Sequence, residues 1–290
     1  MDPTAAARFR TWLAAQNHRI ADAPWDRIDA RDKGQARVGQ LSARHAAVVT
    51  LVTASLMLVA LRFVVMDSEV QSQLALGFVH LVGVYVPSWH ASAIRAGGLW
   101  EHVAWVLGCC TVYLAVPAVV LRVVIGLPLS EAYLLPRNYL RHLPLYALLF
   151  VPVGLLVLVV ASRPDFRLHY PFFVGHLGWD QLVWEIAYAL QFFALEFFFR
   201  GFILRGLSAE MGASAVLAMA APYCMLHFGK PLPECVGSIF AGIVLGTLAM
   251  DTRSIWGGVT IHVAVAWSMD AAALAQKAEG AGRHALPLPY

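Results

Sequence analysis

Apolar residues along this chain fall into blocks of roughly bilayer length, divided by short polar or proline-bearing stretches. A helix rises 1.5 Å per residue, so about 20 apolar residues cross a hydrocarbon core of about 30 Å. The first block runs from His45 to Met66, with Arg62 its only charge, near enough to the end to snorkel. Leu74 to Trp89 is shorter and holds His80 and Pro87, so it can span or lie re-entrant. Val103 to Ile125 is strongly apolar, and Pro117 predicts a kink. Gly126 to Arg141 is polar and basic, with Pro128 and Pro136 as breakers, and Leu143 to Ala161 is a further span. Trp179 to Leu207 is long and aromatic and carries Glu185, Glu196 and Arg200. Ala213 to Phe228 follows, with His227 at its end. The turn Gly229-Lys230-Pro231-Leu232-Pro233 leads into Glu234 to Met250, and Ile255 to Leu274 closes the series with His262 and Asp270.

The pattern predicts an all-α, polytopic transmembrane helical bundle of seven or eight spans. It divides into a polar N-terminal tail at 1–44, N-terminal transmembrane helices at 45–125, a transmembrane core at 126–275 and a short C-terminal tail at 276–290. Composition agrees: 59% of the 290 residues are hydrophobic, 13% are charged and the mean hydropathy is +0.65. Soluble domains carry about 25% charged residues. A net charge of +3 without a clustered basic face argues against nucleic-acid binding.

Basic residues set the expected orientation. Arg8, Arg10, Arg19, Arg27, Arg31, Lys33, Arg37 and Arg44 crowd the tail, and no apolar stretch closely follows the first of them. A cytoplasmic start is therefore expected, partly amphipathic around Phe9, Trp12 and Leu13. The loop bearing Arg122, Arg137 and Arg141 belongs on the same side, while Arg163 and Arg167 dilute the bias. A multi-pass protein of the cell (inner) membrane is the expectation. Cys109, Cys110, Cys224 and Cys235 show neither metal-ligand nor disulfide spacing and read as buried free thiols.

The informative residues are those the bilayer penalises. A charge near its centre costs about 2.5–3.5 kcal/mol on insertion scales, so a retained one faces protein or a wet cavity. Glu196 and Arg200 are four apart and share a helix face. They can form a structural ion pair, or Arg200 can orient a working carboxylate. Glu185 lies eleven residues earlier, near the helix start, and is expected at the interface. His227 ends its helix, whereas His262 sits inside an apolar one. Two histidines with a buried carboxylate make a general-base constellation. Two His and one Glu also suit a metal, but they come singly from separate helices with no HExxH, so no metal and no cofactor is expected. No serine lies in GxSxG. Gly242 and Gly246 form a GxxxG pair suited to close helix packing.

In order, Glu196-Phe197-Phe198-Phe199-Arg200, then Tyr223-Cys224-Met225-Leu226-His227, then His262-Val263-Ala264-Val265-Ala266 resemble the motifs of the CAAX-processing and bacteriocin-processing (CPBP, or Abi) family of intramembrane proteases. Phe240-Ala241-Gly242-Ile243-Val244-Leu245-Gly246 looks like that family's glycine-rich helix, and Arg253-Ser254-Ile255-Trp256-Gly257-Gly258 like its turn before the last histidine helix. The likeness covers residues 126–275. Leu195 stands where the family has a leading Glu, and Ala266 where it has a closing Asn. The resemblance implies a metal-independent, glutamic-type intramembrane endopeptidase. In it Glu196, held by Arg200, acts with His227 on a water, and His262 stabilises the oxyanion. Tyr223, Glu234 and Asp270 are supporting candidates, Glu234 and Asp270 as substitute carboxylates. A bilayer-embedded site implies membrane-embedded or lipidated protein or peptide substrates. The departures at Leu195 and Ala266 keep a catalytically inactive scaffold as the alternative, and proton-coupled transport is a third class, without the inverted repeats it predicts.

Overall fold

The computed structural model describes residues 22–137, 139–163, 166, 170–175 and 178–284. The stretch around Phe9, Trp12 and Leu13, and Arg167, lie outside the described residues. Helices dominate: α1 (Ala23–Asp32), α2 (Ala43–Ala60), α3 (Ser68–Tyr85), α4 (Pro87–Arg95), α5 (Gly97–Cys110), α6 (Val116–Val119), α7 (Tyr139–Val160), α8 (Trp179–Glu196), α9 (Leu204–Met211), α10 (Ala215–Met225), α11 (Leu232–Thr252) and α12 (Trp256–His284). Two short strands, β1 (Arg37–Val38) and β2 (Leu41–Ser42), pair antiparallel between α1 and α2.

Among the described residues, six helical runs are long and apolar enough to cross a membrane: Ala43–Val65, Gly98–Ile125, Tyr139–Val160, Trp179–Met225, Leu232–Thr252 and Trp256–Gln276. The chain is a multi-pass membrane protein. The sequence pattern anticipates seven or eight spans, and two features account for the difference. Ser68–Tyr85 is not among the six, and the break at Pro87 divides it from α4. Trp179–Met225 is one run of 47 residues, although Gly212 at φ +58 interrupts it between the two blocks read from sequence.

Wide π turns recur in the long runs. Thr111–Ala115 and Val120–Ile125 flank α6, which contains Pro117, the position of the predicted kink. Proline offers no N–H and its ring crowds the preceding turn, so the regular ladder gives way there. Leu61–Val65 ends the first run in the same way, and a further one, Phe197–Ile203, starts one residue after Glu196 and contains Arg200. Wide turns of this kind are uncommon and gather at functional sites.

The chain forms two compact units. One comprises Met1–Thr53, Ala118–Asn138 and Phe199–Ile255. Here α10 lies against α11 through glycines: a Cβ on Gly242 would meet the Tyr223 ring at 3.2 Å, and one on Gly246 would meet Met219 Cε at 2.7 Å. That is the close approach the GxxxG spacing predicts. Helix α1 docks on the end of α11. Trp25 Nε1 donates to Thr247 Oγ1 at 3.0 Å, and Arg27 grips Asp251 with two bonds of 3.1 and 2.7 Å. Arg31 donates to the Met250 carbonyl at 2.7 Å. Asp32 takes bonds from Arg31 and from Arg253, at 2.7 and 3.0 Å, and Asp29 accepts from the Ala213 amide at 2.7 Å. Hydrogen bonding to Asp251 and to Asp32 raises the Arg27 and Arg31 guanidinium pKa values respectively.

The other unit comprises Ala54–Pro117, Tyr139–Phe198 and Trp256–Tyr290. Its helices α5, α8 and α12 meet around Leu99, Val106, Trp184, Tyr188 and Ala266. Gly257 gives the Tyr146 ring room against α12, since a Cβ there would overlap that ring.

Candidate active site

Glu196 is the last residue of α8 and has no solvent exposure. His262 lies on α12, and its Nδ1 stands 2.7 Å from Oε1 of Glu196. The same Nδ1 stands 3.2 Å from the Gly258 carbonyl one turn earlier. A carbonyl oxygen only accepts, so this contact is a hydrogen bond when Nδ1 carries the hydrogen, and a neutral ring in that tautomer holds its lone pair on Nε2. The imidazole keeps 15% of its side-chain surface, while the carboxylate is enclosed.

Two residues that sequence reasoning missed complete this setting. A Cβ at Gly258 would overlap the Glu196 carboxylate, so glycine there is what admits the acid beside α12. Phe192, one turn before Glu196, lies nearly parallel to the His262 ring, at 9° with centroids 5.6 Å apart. The Gly257-Gly258 pair was visible as part of a turn motif, but nothing in the sequence indicated what its second glycine faces. Phe192 carried no signal among so many aromatic residues.

The same unit shows what the two departures from the family pattern look like. Leu195 is buried, and Ala266 packs in the apolar cluster with Trp184 and Tyr188. Asp270 is buried one turn beyond Ala266 and accepts from Trp184 Nε1 at 3.3 Å, tying α12 to the start of α8. Glu185 accepts from Gln181 Nε2 at 2.7 Å.

The remaining candidates lie in the first unit. Arg200 is fully buried, with Cζ 4.3 Å from the centre of the Tyr223 ring. A guanidinium on an aromatic face is a favourable way to bury a cation. The Tyr223 and His227 rings meet edge to face at 5.0 Å, and His227 Nδ1 lies 3.1 Å from the Tyr223 carbonyl. Arg200, Tyr223 and His227 thus form one connected series. Glu234 sits in the first turn of α11, where the helix dipole favours an acid, and pairs with Lys230 at 3.5 Å. Among the described residues, no three or more His, Cys, Asp or Glu side chains are placed to hold a metal ion.

A buried carboxylate at ion-pair distance from an imidazole, with the imidazole still reachable, is an arrangement able to take a proton from a water and return it. Residues 177–268 match the family described as type II CAAX prenyl endopeptidase Rce1-like. No curated protein and no solved structure matches the chain.

Proposed function

From the match of residues 177–268 to the type II CAAX prenyl endopeptidase Rce1-like family we propose that this chain is an intramembrane endopeptidase of the metal-independent, glutamic type. It hydrolyses peptide bonds in membrane-embedded or lipidated protein or peptide substrates, with a prenylated C-terminal segment as the first candidate. The observation that carries this reading is the 2.7 Å approach of His262 Nδ1 to the enclosed Glu196 carboxylate.

The sequence-based expectation made Glu196 the base with His227 and gave His262 the oxyanion. The contact favours another division. Nε2 of His262 takes a proton from water, and the resulting hydroxide adds to the scissile carbonyl carbon. Glu196 stabilises the imidazolium so formed. Nε2 then gives its proton to the leaving nitrogen as the C–N bond breaks, yielding a carboxylic acid and an amine. By motif order alone His227 is assigned the oxyanion, and Tyr223 and Arg200 are assigned supporting roles. A donor aimed at developing negative charge contributes about 10²–10³-fold in such reactions. Asp270 and Glu234 are assigned supporting roles, as ties of their own helices.

The test uses the full chain in liposomes with an internally quenched peptide ending in a prenylated Cys-aliphatic-aliphatic-X sequence. His262→Ala and Glu196→Gln are each expected to lower kcat by about 10²–10⁴-fold, the range for loss of general acid–base catalysis. Cleavage by His262→Ala at the unsubstituted rate sinks the mechanism. An unsubstituted chain that cleaves no such peptide, while still holding the Glu196–His262 contact, would favour the scaffold.

A further inference from the structure

From the geometry around His262 we infer that Phe192 is a positioning residue for the reaction: its ring is the platform that fixes the plane of the His262 imidazole and so aims Nε2. Three groups define that imidazole. Glu196 Oε1 and the Gly258 carbonyl both face Nδ1, at 2.7 and 3.2 Å, and restrain one edge of the ring. Contacts at a single edge leave the ring free to swing about that edge. Phe192 removes the swing, because its ring lies 9° from parallel with centroids 5.6 Å apart. Offset parallel stacking is a favoured arrangement of two π systems, and an aromatic face also favours the ring when it becomes an imidazolium.

The platform comes from the helix that supplies the acid. Phe192 and Glu196 are four residues apart on α8, hence on one face and one turn apart. One helix face therefore grips the imidazole at both its edge and its plane. The platform is itself seated: Tyr188 lies against Phe192 at 4.8 Å, and Trp184 against Tyr188 at 4.8 Å. The base of this aromatic column is anchored to α12 by the bond from Trp184 Nε1 to Asp270 at 3.3 Å. Helices α8 and α12 are thus tied at Glu196–His262 and Phe192–His262 and again at Trp184–Asp270. A movement of one helix along the other would have to break those three ties. The column gives the imidazole a rigid support, and rigid supports are what hold reacting groups within the narrow tolerance catalysis needs.

The kinetic arm of this inference rests on the endopeptidase reading above, and the spectroscopic arm does not. Phe192→Leu keeps apolar bulk but removes the flat ring, whereas Phe192→Tyr and Phe192→Trp keep a ring. With the prenylated peptide in liposomes, Phe192→Leu is expected to lower kcat by between about tenfold and a hundredfold with KM little changed, as for a misplaced catalytic group. Phe192→Tyr or Phe192→Trp should recover most of that loss, which a role in bulk packing would not require. In parallel, the full chain labelled with ¹⁵N-histidine is studied by NMR in bilayers, with the His262 signal assigned by its loss in His262→Gln. The Nδ1–H resonance should be sharp in the unsubstituted chain and in the ring-bearing variants, and broadened or moved in Phe192→Leu. If Phe192→Leu leaves kcat and that resonance as they were, the inference is wrong. It is equally wrong if the leucine variant is impaired and neither ring-bearing variant recovers. Should His262→Ala cleave normally, the endopeptidase mechanism fails, and the resonance still decides what Phe192 does.

Discussion

Gly258 has two opposing consequences when a methyl group is added to it. Alanine in place of glycine within a helix favours the helix by about 1 kcal/mol. The added Cβ, however, falls on the Glu196 carboxylate, which is enclosed and has nowhere cheap to go. Displacing it takes Oε1 away from His262 Nδ1. Gly258→Ala is therefore expected to remain folded, with a melting temperature in detergent near that of the unsubstituted chain, while cleavage falls by about 10² or more. Normal cleavage by Gly258→Ala would mean that the acid need not stand where it does. At this scale two of the candidate residues were legible in the sequence. Glu196 and His262 stood out because lipid penalises ionisable groups, and the structure brings those two together. Gly258 and Phe192 did not stand out, because a glycine or an aromatic in a membrane helix costs nothing that composition or spacing reveals. Their importance exists only through what each faces across another helix.

Helix extents were legible to within a few residues wherever about 20 apolar residues ran between polar markers, as at His45 to Met66 against Ala43–Val65. The π turns were not, because widening of a helix by a residue leaves hydropathy unchanged. Nor was the docking of α1, whose polar residues read as solvated tail. Its contacts are unequal, and burial ranks them. The Arg27–Asp251 pair is exposed on the Arg27 side, at 57% of the side-chain surface, and exposed pairs are worth about 0–1 kcal/mol. Asp32 keeps only 6% of its side-chain surface and serves both Arg31 and Arg253, which are partly exposed themselves. Asp32→Ala leaves two guanidiniums without that acceptor. Removing one partner of a buried pair costs about 3–5 kcal/mol, and the partial exposure of both arginines reduces that to about 1–3 kcal/mol. In detergent, Asp32→Ala should lower the melting temperature clearly more than Arg27→Ala, and the Arg27→Ala deficit should shrink at high salt. The reverse order would mean that α1 is held by its exposed rim.

On the scale of the whole chain, composition alone separates a membrane protein from a soluble one, and the six apolar runs agree. Orientation needs more than composition, since basic residues occur at many loops. The first unit narrows it. Arg27, Arg31 and Arg253 meet around the end of α11, and Arg205 pairs with Glu131 in the loop that follows Arg122. Helix α11 has 21 residues, which at 1.5 Å each is about 31 Å, a full bilayer core. Arg253 and Lys230 therefore lie on opposite sides of the membrane, with the arginine-rich end on Arg253's side. The bias of arginine and lysine toward the cytoplasm then predicts α1, Arg205 and Arg253 on the cytoplasmic side and the α10–α11 turn on the other. In a chain with its four cysteines replaced by alanine, a cysteine substituted for Lys230 should react with a membrane-impermeant maleimide in intact cells. One substituted for Gln35, in the turn after α1, should react only after permeabilisation. The opposite pattern would invert the chain in the membrane.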